Sequence, residues 1–124
     1  MQSNMDGSKM INTIQGDALN LFKELNDESV DLIIADPPYN LGKNYGNNFD
    51  SKKFDEYLEF SRAWLKEAHR VLKPTGTIYV FMGVKFISYI FQILDQELKM
   101  HFNSWICWHY TQGMGRKKGF SPRH

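Results

Sequence analysis

Apolar positions recur along this chain with two alternating periods. Residues 11–15 (INTIQ) are short, partly β-branched and bounded by Gly16, and they predict a strand. Ala18, Leu21, Phe22 and Leu25 follow at the i, i+3, i+4, i+7 spacing of one helix face. Residues 30–35 (VDLIIA) form an apolar run ended by Asp36-Pro37-Pro38, as a buried strand would be. A polar loop rich in Asn and Gly occupies residues 40–50. Phe54, Tyr57, Leu58, Trp64, Leu65, Ala68, Val71 and Leu72 then keep a 3.6-residue period until Lys73-Pro74-Thr75-Gly76 stops the helix. Residues 77–82 (TIYVFM) predict the next strand. Residues 84–98 predict a second long helix with Val84, Ile87, Phe91, Leu94 and Leu98 on one side, and 104–110 (SWICWHY) a further strand.

Strands separated by helices of this length imply βαβ crossovers, hence an α/β fold with a parallel sheet and helices on both faces. The nearly continuous apolar strands agree, because parallel strands are buried on both sides. Ligands of such sheets bind beyond the carboxyl ends of the strands. The groups expected there are Gly16-Asp17, then Asp36-Pro37-Pro38-Tyr39, then Met82-Gly83.

Composition narrows the class. A chain of 124 residues with 42% hydrophobic, 15% aromatic and 23% charged residues is one globular domain or a piece of one, not a disordered or low-complexity segment. No apolar run approaches the roughly 18 residues of a membrane span, and the polar start MQSNMDGSK lacks a signal peptide's apolar stretch. A single cysteine, Cys107, excludes a disulfide framework and a multi-cysteine metal site, in keeping with a cytoplasmic protein and no metal. Cys107 and His109 share one face of their strand without a partner at metal spacing, so both are expected in the core, as are Trp64, Trp105 and Trp108. Charge is uneven. Residues 1–98 carry ten Lys/Arg against fourteen Asp/Glu, whereas 99–124 carry Lys99, Arg116, Lys117, Lys118 and Arg123 and no acid. Such a basic end suits either phosphate contact or a solvated polar tail. Gly113, Gly115 and Gly119 do not have dinucleotide-fingerprint spacing.

The Asp36–Tyr39 turn carries the candidate chemistry. Two prolines fix φ and restrict the residue before them, so the turn is rigid. It gathers a carboxylate, backbone carbonyls and an aromatic ring around one small space, which suits a planar substrate bearing an amino group. The Asp36 carboxylate and the Pro37 carbonyl can each accept from an exocyclic NH2, and the Tyr39 ring can stack on the base, a contact worth about 1–3 kcal/mol. Two acceptors on the amino protons free the nitrogen lone pair and stabilise the positive charge that develops as a methyl group arrives. Asp36 can then receive or relay the proton. The bland alternative is a Pro-Pro turn with Asp36 as a helix cap and Tyr39 as packing.

The order of several separated blocks resembles the DNA amino-methyltransferases, in the permuted (β) class whose catalytic motif lies near the N-terminus. Gln15-Gly16-Asp17-Ala18-Leu19 and the run from Ser29 through Asp36-Pro37-Pro38-Tyr39-Asn40-Leu41-Gly42-Lys43 look like that family's opening block. His69-Arg70-Val71-Leu72-Lys73-Pro74-Thr75-Gly76 with the strand after it is similar too. So are Trp105 to Trp108, Gly113-Met114-Gly115-Arg116 and Phe120-Ser121-Pro122-Arg123-His124. The resemblance runs from about residue 11 to 124. It implies a Rossmann-like methyltransferase sheet, S-adenosylmethionine as methyl donor, and N6 of adenine in double-stranded DNA as acceptor. The base would be flipped out and stacked on Tyr39. Cytosine-N4 methylation and a non-catalytic nucleic-acid-binding remnant are the alternatives. Asp36, Pro37, Pro38 and Tyr39 become the catalytic residues. Asp17, Ala18 and Asp36 become the donor-binding residues, although Asp17 equally suits an N-cap for the helix that begins at Ala18. Asn44, Asn47 and Asn48 belong either to a loop closing over the base or to an ordinary polar loop.

The family's Phe-x-Gly-x-Gly donor loop, the acid for the donor ribose and a target-recognition region have no counterpart in this sequence. The expected division is therefore a polar tail, 1–10, and the catalytic N-terminal part of a methyltransferase domain, 11–124, inactive and poorly soluble alone. Further partners implied are a second copy or a complementing C-terminal fragment, and a cognate restriction endonuclease, with no membrane. Arg116, Lys117 and Lys118 are assigned to DNA phosphates, with a solvated hairpin tip as the alternative. Neutralising all three should weaken DNA binding evenly across sequences and flatten the slope of log affinity against log salt by up to about three units. An unchanged slope in a salt titration would leave them as a solvated tip.

Overall fold

In the computed structural model, residues 2–5, 10–40 and 53–109 are described. The elements in order are β1 (Gln2–Met5), β2 (Met10–Thr13), α1 (Ala18–Phe22), β3 (Val30–Ala35), α2 (Phe54–Val71), β4 (Leu72–Val80) and α3 (Ile87–Gln92), which runs on into a π-helical turn (Ile93–Glu97). No helix among the described residues is long and apolar enough to cross a membrane.

Helix α2 organises this mixed α/β architecture. Its apolar period buries Tyr57, Ser61, Trp64, Leu65, Ala68 and Val71 along one stripe. Asp55 and Glu56 in the first turn and His69 and Arg70 in the last complement the helix dipole. The chain leaves the helix at Leu72, whose N–H still bonds the Ala68 carbonyl, and passes directly into β4. β3 and β4 pair in parallel, Leu32 opposite Thr77 through Ala35 opposite Val80. Ile33 and Ala35 of β3, with Ile78 and Val80 of β4 and Met82 just beyond it, pack onto a core of Trp64, Leu65, Ala68, Ile90 and Ile93. Fully burying a side chain such as Leu65 or Ile90 stabilises the fold by roughly 1.5–3 kcal/mol.

Arg70 ties the end of α2 to the segment between α1 and β3. Its guanidinium donates to the carbonyls of Phe22 and Leu25 and to the carboxylates of Asp27 and Glu67. Asp27, whose hydrogen bond contributes most, and Glu67 hold its pKa above the ordinary arginine value. The Arg70 and Val71 carbonyls accept from the Glu28 and Ser29 amides, which starts β3 beside β4.

Several expectations are corrected. Residues 11–15 do not join the parallel sheet: β2 pairs antiparallel with β1, Gln2 opposite Thr13. Among the described residues, helices cover one face of the parallel sheet, not both. Leu32 (51% exposed), Ile34 (66%), Tyr79 (49%) and Phe81 (41%) line the other face, which no described helix packs against. Residues 104–109 form no strand, because none of their backbone enters a ladder, and their side chains are exposed. Trp105 and Trp108 therefore leave the core and make edge or tilted contacts with Phe91 and Phe81, while Cys107 is exposed and so is His109. Trp64 is buried as expected. The second long helix is α-helical over Ile87–Gln92 and widens into the π turn.

Lys73-Pro74-Thr75-Gly76 ends α2, as its prolyl and glycyl residues require, and forms the irregularity in β4 between the Val30–Leu72 and Leu32–Thr77 pairs. A Cβ on Gly76 would lie 2.7 Å from Leu72 Cδ1 and 2.9 Å from the Asp31 carbonyl oxygen. The leucine can turn away, whereas the β3 backbone at Asp31, held on either side by the Val30–Leu72 and Leu32–Thr77 pairs, cannot. Gly76→Ala should therefore destabilise the fold by about 1–3 kcal/mol in urea unfolding. A change indistinguishable from zero would show that the bulge absorbs a methyl group.

Candidate active site

The parallel ladder runs to the last residues of β3, where the Ala35 carbonyl accepts from Phe81 N–H. Asp36-Pro37-Pro38-Tyr39 leaves from there. Asp36 is exposed, Pro37, Pro38 and Tyr39 are half-buried, and Asn40 is buried with φ at 59°. That left-handed conformation is one asparagine tolerates better than most residues, and it turns the chain after the ring of Tyr39.

The turn brings two of the expected residues into contact. Tyr39 Oη donates to Asp36 Oδ1 at 2.6 Å. Partial burial, the hydrogen bond and the nearby Asp36 charge raise the Tyr39 pKa to about 12. The phenol therefore stays a neutral donor through the physiological range and is no base. With Oδ1 engaged, the second carboxylate oxygen of Asp36 remains as an acceptor at an exposed edge. The hydroxyl contact was absent from the sequence reading, which gave Tyr39 its ring alone.

Tyr57 was missed as part of this site. Its hydroxyl donates to the Pro38 carbonyl at 2.5 Å and lies 3.3 Å from Met82 Sδ. The signal was available, because a tyrosine in an apolar helix stripe must find a partner for its hydroxyl when buried.

Asp17 belongs to the start of α1. It is the N-cap of α1, Oδ1 accepting from Leu19 N–H at 2.9 Å, with Ala18 as the first helical residue. Because β2 is not in the parallel sheet, no shared ladder sets Asp17 beside Asp36. A shallow apolar groove lies against α1, lined by Ile14, Ala18, Leu21, Phe22, Glu24 and Leu25. Arg116, Lys117, Lys118 and the asparagines of the loop after the turn lie outside the described residues, as does the glycine-containing segment 113–119.

A carboxylate-bearing turn with two consecutive prolines thus closes the end of a parallel strand. A family model described as DNA methylase matches residues 30–124, and the chain belongs to that family. It is 60% identical over 111 residues to the type II methyltransferase M.HpaI of Haemophilus parainfluenzae, which covers 90% of this chain and 35% of that protein. It is 41% identical over 92 residues to the type II methyltransferase M.BamHI of Bacillus amyloliquefaciens, 73% of this chain and 21% of the relative. To the DNA adenine methyltransferase YhdJ of Escherichia coli K12 it is 36% identical over 121 residues, 95% of this chain and 40% of the relative. The chain thus spans less than half of each.

The Tyr39–Asp36 bond has a pH signature. An unfolded tyrosine ionises near the ordinary value of 10.0 and the folded Tyr39 near 12. Between these values the unfolded chain releases a proton that the folded chain keeps, so stability falls as pH rises. The contribution is complete below pH 10 and lost toward pH 12. Denaturation curves across this window should show a smaller fall for Tyr39→Phe than for the wild type. Superimposable profiles would mean that the hydroxyl is not held by Asp36 in solution.

Proposed function

We propose that this chain forms the base-binding, catalytic part of a site-specific DNA methyltransferase that acts on N6 of a flipped adenine in double-stranded DNA. The observation that carries the reading is the Asp36–Tyr39 turn: an ionisable carboxylate with one oxygen oriented by a phenol, adjoining proline carbonyls and an aromatic ring, at the end of a parallel strand. Membership of the DNA methylase family supports it.

In this mechanism the second Asp36 oxygen and the Pro37 carbonyl accept the two amino protons. That draws the nitrogen toward a tetrahedral shape, frees its lone pair for attack and stabilises the charge that develops on it. The adenine must leave the stack to reach the turn, and Tyr39 offers its ring as a new stacking surface. Asp36 then takes or relays the departing proton. Tyr39, with its raised pKa, remains a donor throughout.

S-adenosylmethionine, the donor implied by the family, supplies an electrophilic methyl group when bound. The chemistry of Asp17 fits one end of it. An exposed carboxylate with one oxygen on the Leu19 amide retains acceptor capacity for the donor's adenine amino group, beside Ala18 and the apolar groove. Cap and cofactor contact are therefore compatible. Asp36 would adjoin the transfer point. The same reading assigns Arg116, Lys117 and Lys118 to DNA phosphates. It extends β3–β4 into a Rossmann-like sheet and places residues 11–124 in the catalytic part of a larger methyltransferase domain.

The test is methyl transfer from labelled S-adenosylmethionine to DNA, followed by nucleoside analysis. It is run on the chain alone and on the chain mixed with the portion of M.HpaI that it does not span. N6-methyladenine should form in the mixture and not with the chain alone. Asp36→Ala should lower the rate by roughly 10²–10³ while leaving the fold and DNA binding nearly intact. Methylation within a few-fold of wild type would remove Asp36 from the mechanism, and N4-methylcytosine as the product would replace adenine as the substrate.

A further inference from the structure

The Asp36–Tyr39 turn has a structural weakness. Pro37 and Pro38 have no N–H, so the turn cannot be closed by their amides. Asp36 is exposed and its one described side-chain partner, Tyr39, belongs to the same turn. Rigid prolines set the local φ angles, but they do not fix where the turn sits relative to the sheet.

The anchor comes from the core. Tyr57 is 0% exposed, its ring against Phe86 at 4.5 Å between centroids and near Phe60 at 6.1 Å. Its hydroxyl reaches out of α2 to the Pro38 carbonyl and touches Met82 Sδ just beyond β4. One phenol thus joins the longest helix, the turn after β3 and the exit of β4. Fully buried, it makes no contact with a base.

We infer that Tyr57 is a positioning residue for the site. By donating to the Pro38 carbonyl it fixes the turn against the core, and so sets where the Asp36 carboxylate and the Tyr39 ring meet an amino-bearing base. The inference rests on the reading of Asp36–Tyr39 as the base-binding turn. Its structural half, that one buried hydroxyl governs the turn, is measurable without activity.

The experiment compares the wild-type chain with Tyr57→Phe, which removes one oxygen and keeps the ring in place. In carbon-13 spectra of labelled protein, Tyr57→Phe should move the Pro38 carbonyl resonance and the side-chain resonances of Asp36 and Tyr39. Ala68, Ile90 and Ile93, packed in the same core, should stay where they are. Asp36 and Tyr39 resonances that superimpose on the wild type would overturn the inference. If Tyr57→Phe does not fold, 4-fluorophenylalanine at position 57 fills the same volume without a donor, and the same readings apply. In the complemented methyl-transfer assay, kcat should fall about tenfold with KM for DNA within about twofold, as a misplaced acceptor demands. Equal kcat would overturn the inference as well. No transfer by the wild type would instead count against the base-binding reading, and the spectra would still decide the role of Tyr57.

Discussion

The seating of one apolar helix stripe on one sheet face governs this structure. Trp64, Leu65 and Ala68 of α2 pack with Ile90 and Ile93, and the inward residues of β3 and β4 close over them. The stripe is continuous along α2, so the helix cannot turn on its axis without exposing several large side chains at once. Because α2 runs straight into β4, fixing the helix also fixes the register of the strand, and Arg70 fixes the entry to β3 from the other side. The position of Asp36 follows from that register: Ala35 pairs with Val80, and Asp36 is the next residue.

The same stripe reaches the Asp36–Tyr39 turn through Tyr57, its first buried member. A site on an exposed strand end needs an accessible carboxylate, and access works against rigidity. The chain separates the two requirements. Asp36 stays in solvent, where its charge carries little desolvation cost, while the rigidity comes from a phenol deep in the core acting on a proline carbonyl. Tyr39 lies between them, half-buried, bonded to Asp36 and close enough to Tyr57 to feel it electrostatically.

Much of this was legible in the sequence, for identifiable reasons. The period of α2 is a consequence of burial on one face, and the apolar run 30–35 does form a strand, although only one of its faces is covered by the described residues. The two prolines marked the turn because their φ restriction is local and needs no partner. Partner-dependent features were not legible. Residues 11–15 have strand character, but their partner β1 is a four-residue segment that no hydrophobic period announces in the sequence. Residues 104–109 combine β-branched and aromatic side chains, and such propensity becomes a strand only where a ladder is available. The contact from Tyr57 to Pro38 spans nineteen positions, and no local pattern announces it.

The two hydroxyls also clarify what a tyrosine contributes at position 39. Stacking on a base needs only a π face, and phenylalanine would supply one. In the structure the ring carries a donor aimed at Asp36, and partial burial keeps that donor protonated far above neutral pH. The bond holds one carboxylate oxygen in place, so the other presents its lone pairs in a defined direction. It also draws on the same lone pairs that would accept an amino proton. The hydroxyl therefore gains orientation at the expense of one acceptor site. In the role proposed for Asp36, orienting a weak nucleophile and then taking its proton, orientation is the scarcer quantity. Bulk water can relay the proton from an exposed carboxylate, whereas nothing in solvent can aim the amino group.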